Sequence, residues 1–90
     1  MYKIAYTERV EKDLRQLKRN EPQLFKKVIK LIDELVEHPT TGTGKPKPLS
    51  GDRAGQWSRR ISDKHRLIYM IDNENVVVLL LSAYGHYDDK

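Results

Sequence analysis

The 90-residue sequence predicts an α+β domain, with two helices packed on one face of a small antiparallel sheet in the order β-α-α-β-β-β. Three observations lead there. Residues 8–37 carry apolar side chains at helical spacing, interrupted once by Pro22. Residues 56–82 contain three apolar-rich runs divided by short polar turns, which implies an antiparallel meander. Between these regions lies a stretch of Thr, Gly, Pro and Lys with neither period. A chain of this length has room for one core, so residues 1–90 are read as a single domain.

Taken in order, Tyr2, Ile4 and Tyr6 alternate with Lys3 and Ala5 as a short half-buried strand, and Thr7 is placed to cap a helix starting at Glu8. Val10, Leu14 and Leu17 form a narrow apolar stripe on that charged helix, which is predicted to end at Asn20. Pro22 suits the first turn of a second helix, where its missing N–H has no partner to lose. Leu24, Phe25, Val28, Ile29, Leu31, Ile32, Leu35 and Val36 give that helix a broad buried face, and His38-Pro39 ends it. Residues 40–53 read as a loop able to carry function. Strands are predicted at 56–61, 66–71 and 76–82. The unbroken apolar run 76–81 reads as a central strand buried on both faces.

Composition narrows the function. Seventeen Lys and Arg against 13 Asp and Glu give a net charge of +4, which suits a polyanionic partner. Without Cys there are no disulfides or thiolate metal sites, and His38, His65 and His86 lack metal-ligand spacing, so no metal or cofactor is expected. The N-terminus has no secretory apolar core and the longest apolar run is too short for a bilayer; the expectation is a cytoplasmic protein with no membrane partner.

Lys45, Lys47, Arg53, Arg59, Arg60, Lys64 and Arg66 gather around Trp57, and His86-Tyr87 lies beyond the last strand. Such cations balance a phosphate backbone, and His and Tyr can move protons or stack on bases, so RNA chemistry is the leading reading. A three-residue loop at Ser62-Asp63-Lys64 would pair Ile61 with His65 and set Arg60 opposite Arg66, an arrangement that favours a bridging anion. A two-residue loop would separate the two arginines, and an ordinary solvated face is the plain alternative. Trp57 fits a core position better than a base-stacking one. Tyr84 and Tyr87 lie past the apolar strand, where a ring can meet solvent or ligand, and His86 alone is unremarkable.

The Gly-Lys-Pro-Lys-Pro-Leu block at 44–49, Trp-Ser-Arg-Arg-Ile at 57–61, His-Arg-Leu-Ile-Tyr at 65–69 and the final His86-Tyr87 closely resemble the YoeB/Txe toxins of bacterial toxin–antitoxin pairs, within the RelE-like superfamily. The resemblance spans nearly the whole chain. It implies a microbial-RNase-like fold and an endoribonuclease that cuts mRNA in the A site of the 70S ribosome. It also implies a homodimer and a YefM-like antitoxin partner. By match to the family pattern, Arg66 stabilises the phosphate, His86 is the general acid and Tyr87 positions or stacks RNA. Lys45, Arg59, Arg60 and His65 are carried over as RNA-binding or supporting residues.

One position departs from that pattern. Family members typically have Gly-Lys-Pro-Glu-Pro-Leu with the Glu as general base, and this chain has Lys47 there. A carboxylate with a reference pKa of about 4.3 can accept a proton at neutral pH, whereas an ammonium near 10.4 cannot. More distant RelE-like relatives cut RNA with lysines and arginines in place of this Glu. Lys47 therefore leaves three accounts open: altered chemistry, a degenerate toxin, or deliberate inactivation. Two function classes result, an mRNA interferase and a catalytically impaired module that still binds ribosome, RNA and antitoxin. A gyrase-directed relative of the ParE kind is a weaker third, since it is not expected to combine Arg66 with His86-Tyr87.

Overall fold

The computed structural model describes residues 1–85. The chain runs β1 (Lys3–Tyr6), α1 (Glu8–Asn20), α2 (Pro22–Glu37), β2 (Lys47–Pro48), a 3₁₀ turn at Gly51–Arg53, β3 (Gln56–Arg60), β4 (Arg66–Asp72) and β5 (Val77–Ser82). Thr7 caps α1 as its sequence position suggests: its hydroxyl accepts the Val10 N–H at 3.2 Å and donates to the Leu80 carbonyl at 2.8 Å, tying the helix start to the sheet. The two helices are joined through one residue, Glu21, whose backbone N–H closes α1 on Leu17 while Pro22 begins α2.

The α+β class and the two-helix layer agree with the sequence reading, and the sheet differs from it in three respects. The strand order is β1-β5-β4-β3-β2, with β1 parallel to β5, so the sheet is mixed rather than wholly antiparallel. The connection from β1 to β5 runs through both helices and strands β2–β4, long enough to return β1's partner in the same direction, which a tight turn does not permit. Second, the loop at 40–53 contains β2, two residues long, which pairs Lys47 with Ser58 and Pro48 with Trp57 at the sheet edge. Third, β5 is flanked by β1 and β4, yet only Val78 and Leu80 are buried; Val77, Leu79 and Leu81 are half-buried. Ile68 faces Ser82 while Tyr69 faces Leu80, so Leu81 is the extra residue of a β-bulge.

The core lies between the helices and one face of the sheet. Val10 and Leu17 of α1, Val28, Leu31, Ile32 and Leu35 of α2, and Leu67, Tyr69, Val78 and Leu80 of the sheet form its centre. Each fully buried apolar side chain contributes about 1.5–3 kcal/mol, so this one layer carries most of the hydrophobic stabilisation. Among the described residues, no helix lies over the other face of the sheet.

Candidate active site

Side-chain alternation sorts the predicted site residues into two groups. On β3, Trp57 and Arg59 share the helix-covered face with Leu67 and Tyr69. Ser58 and Arg60 share the second face with Ile68 and Arg66, and Lys47, opposite Ser58, joins them. Arg60 and Arg66 are direct partners, so the three-residue turn at 62–64 gives the register in which they face each other. Their like charges are accommodated by the turn. Arg60 forms an ion pair with Asp63, and Arg66 donates to the Ser62 carbonyl and, at 3.2 Å, to the His65 carbonyl. Lys47 is exposed on the edge strand and Lys45 is exposed beside it in the left-handed region, with φ 51°. Leu49 and Ile68 are buried outside the main core, giving this part of the second face a small apolar footing.

Arg59 does not belong to that face. It is 0 % exposed, and its guanidinium is fully engaged inside the protein. Nη1 donates to Glu34 Oε1 at 2.8 Å and to the Thr43 carbonyl at 3.2 Å, Nη2 donates to the carbonyls of His38 and Thr41, and Nε reaches the Tyr69 hydroxyl at 3.3 Å. Its reading as an RNA contact is corrected: a guanidinium with no exposed surface and this many acceptors anchors the loop after α2. The loop fits tightly on this anchor. Gly42, at φ 113°, passes so close that a Cβ would lie 2.5 Å from Glu34 Oε1, and the Gly44 carbonyl accepts the Arg60 N–H at 2.7 Å. Hydrogen bonds from the Thr43 hydroxyl and amide, reinforced by Arg59, hold the Glu34 carboxyl below its usual pKa. Burial pushes the Tyr69 phenol up, against the pull of Arg59.

His65 is also interior, 4 % exposed, and is corrected from RNA contact to internal support. Its Nδ1 accepts the Gly85 N–H at 2.7 Å and its Nε2 lies 2.9 Å from Glu21 Oε2, so the partners assign the proton to Nε2. The Tyr84 ring stacks on the imidazole with centroids 4.3 Å apart. The Gly85 carbonyl accepts the Arg66 N–H at 3.0 Å, and Asp13, 6 % exposed within the apolar stripe of α1, accepts the Ala83 N–H at 2.9 Å. Residues 83–85 are thereby seated beside the start of β4, next to Arg66. Sequence reasoning passed over Asp13 and Glu21. The available signal was a carboxylate at a core-facing helical position and another at the junction of two helices. His86 and Tyr87 lie outside the described residues.

This face can hold a phosphate against Arg66 with Arg60 and Lys47 nearby. A cleft of about 590 Å³ at the end of α2, lined by Tyr2, His38, Trp57 and Ile71 among others, includes neither Lys47 nor Arg66. The same is true of an apolar hollow of about 450 Å³ lined by Met70, Val77 and Leu79. Trp57 is half-buried, packed against the core and on the rim of the first cleft. Among the described residues, no His, Asp or Glu cluster could hold a metal ion, and no helix is long and apolar enough to cross a membrane.

Comparison with known proteins gives a consistent result. The family described as the YoeB-like toxin of bacterial type II toxin–antitoxin systems matches residues 6–87. The chain is 39 % identical over 85 residues to a Toxin YoeB of Synechocystis, covering 94 % of this chain and 96 % of that protein. Among solved structures, the YoeB/ParE toxin from Agrobacterium tumefaciens has a TM-score of 0.89 and 33 % identity over 94 % of this chain and 99 % of that one. The YoeB dimer from Staphylococcus aureus has a TM-score of 0.83 at 28 % identity, over 96 % and 98 % of the two chains. In the YoeB–YefM complex from the same organism the TM-score is 0.82 at 27 % identity, over 97 % and 99 %.

Proposed function

This chain belongs to the YoeB-like toxins of bacterial type II toxin–antitoxin systems, and from that premise we propose that it is an endoribonuclease cutting mRNA on the 70S ribosome. In the proposed reaction a ribose 2′-oxygen attacks the adjacent phosphorus while the bond to the 5′-oxygen breaks. The 2′-hydroxyl proton passes to solvent water, Lys47 standing where a carboxylate base would, and a proton is delivered to the departing 5′-oxygen, leaving a 2′,3′-cyclic phosphate and a 5′-hydroxyl. The extra negative charge of the transition state is met by Arg66, His86 supplies the proton, and Tyr87 positions the RNA. Lys45 and Arg60 contact flanking phosphates. Arg59 and His65 act from within, shaping the loop and the residue-85 seat.

The observation that carries this reading is the bond from the Arg66 N–H to the carbonyl of Gly85, the residue preceding His86. It seats Gly85 against the backbone of Arg66 at one corner of the sheet. Lys47 on the same face favours a second reading, a toxin-fold module that binds ribosome and RNA without efficient cleavage. Cleavage of mRNA on programmed ribosomes, with Lys47→Glu alongside the parent, separates the two. Cleavage by the parent supports the enzyme, whereas ribosome binding by the parent without cleavage leaves the module. The S. aureus structures support two further expectations, a homodimer and a YefM-like antitoxin partner.

A further inference from the structure

The proposed cleavage must take a proton from the 2′-hydroxyl, and the Lys47 ammonium is not an acceptor for it. Among the described residues, one carboxylate stands beside the arginine pair of the second face: Asp63, at the tip of the turn joining β3 to β4. Other carboxylates lie elsewhere. Asp72 shares that face of β4 but is six residues from Arg66, about 20 Å along the strand. Asp52 belongs to the 3₁₀ turn near Gln56, at the opposite end of β3 from Arg60. Asp13 and Glu21 are committed to the Ala83 N–H and to His65. The remaining helical carboxylates are on elements that cover the other side of the sheet, and Glu74 is in the turn after Asp72.

The place of Asp63 is fixed, and one of its oxygens is available. The Ser62 hydroxyl accepts the N–H groups of Lys64 and His65, each at 3.2 Å, which holds the turn. Oδ1 of Asp63 pairs with the Arg60 guanidinium, no group among the described residues engages Oδ2, and the side chain is 90 % exposed. Arg66 reaches the same turn from the other strand: its guanidinium donates to the Ser62 carbonyl and lies 3.5 Å from the Asp63 carbonyl. Lys47 is on the far side of the arginine pair, since its partner Ser58 is two residues before Arg60, about 7 Å back along β3. A phosphate held on Arg66 therefore has an ammonium to one side and a carboxylate to the other.

We propose that Asp63 is the proton acceptor of this site, taking the 2′-hydroxyl proton through one water molecule in place of the carboxylate that position 47 lacks. The inference deepens the proposed function and rests on it. As the 2′-oxygen bonds to phosphorus, its proton passes to the water and the water passes one to Oδ2. The 5′-oxygen leaves with its bonding electrons and receives a proton from His86, and both side chains then exchange protons with solvent to recover their starting states. A carboxylate can accept a proton at neutral pH, and a general base can act through one intervening water as well as directly. The Arg60 pair at Oδ1 restrains a side chain that would otherwise turn freely at the tip of the hairpin.

The test measures single-turnover cleavage on programmed 70S ribosomes by the parent, Asp63→Asn, Asp63→Glu and the combination of Asp63→Asn with Lys47→Glu. Asp63→Asn should cleave at least about tenfold more slowly than the parent at saturating ribosomes, while ribosome affinity and melting temperature change little. Asp63→Glu keeps the carboxylate and should recover most of the rate. In the Lys47→Glu background, Asp63→Asn should slow cleavage less than about threefold, because the carboxylate at position 47 then takes the proton. If Asp63 serves only as a counter-charge for Arg60, the loss is equal in the two backgrounds, and that result overturns the proposal. An Asp63→Asn variant as fast as the parent also overturns it and leaves the proposed function standing. A parent that binds ribosomes without cleaving removes the proposed function and this inference together.

Discussion

Replacing Arg59 by Met keeps much of its length and removes the guanidinium, and the structure fixes what that costs. Hydrogen bonds to Glu34, Thr43, His38, Thr41 and Tyr69 are lost together. Breaking a buried ion pair typically costs about 3–5 kcal/mol. The low end applies here: Glu34 is 34 % exposed and Thr41 and Thr43 lie at the surface, so their oxygens regain water, and the Tyr69 hydroxyl keeps its bond to the Pro39 carbonyl at 2.7 Å. A loss of about 3 kcal/mol lowers the melting temperature of a domain this size by roughly 12–24 °C. Arg59→Lys should recover little of it, because one ammonium cannot serve the fork of acceptors around the guanidinium. Circular dichroism melts of parent, Arg59→Met, Glu34→Gln and the double variant give the coupling directly. If Arg59→Met melts within about 3 °C of the parent and loses RNA affinity instead, the side chain faces RNA and the internal anchor is refuted.

Three further outcomes are expected. Lys47→Glu should raise cleavage on programmed ribosomes by about 10²–10⁴-fold if the missing carboxylate limits proton removal; equal rates for parent and variant would show that Lys47 serves a more cation-dependent site. His65→Asn retains an acceptor where Nδ1 stood, while His65→Gln retains only a donor toward Glu21. The Gly85 amide should therefore exchange slowly with deuterium in the parent and in Asn, and rapidly in Gln, and equal exchange in the two variants would remove His65 from the seat of residues 83–85. The Glu34 carboxyl is depressed below its ordinary 4.5, chiefly by Thr43, so the unfolded chain takes up its proton first as pH falls. The stability it contributes is complete above about 4.5 and is lost as pH drops through the folded value, and Glu34→Gln should flatten that part of the pH–stability curve.

Local signals in the sequence located the elements well. The helical stripes, the Thr7 cap, Pro22 and the polar turns each act within a few residues, and the turn at 62–64 set the Arg60–Arg66 register. The parallel partner of β1 escaped because no short-range pattern links Lys3 to Val77. β2 escaped because two residues at an edge have no period to detect. The burial of Arg59 was legible in principle: if Trp57 is core, alternation puts the residue two places on at the same face. Charge alone suggested an anion, and the acceptors that satisfy it come from residues 34–43, whose approach to β3 is a tertiary event.

The pairing of β1 with β5 also governs when in its own synthesis this protein becomes dangerous. Lys3 finds its partner only when Val77 has been made, and the seats offered by Asp13 and His65 stay empty until residues 83–85 emerge. A nascent chain that stops before β5 has both amphipathic helices but lacks a complete surface to cover them, and it has no His-Tyr pair. Such fragments expose apolar surface and invite proteolysis. Under the proposed function, harm to the producing cell is thus deferred until β5 and residues 83–85 have been made.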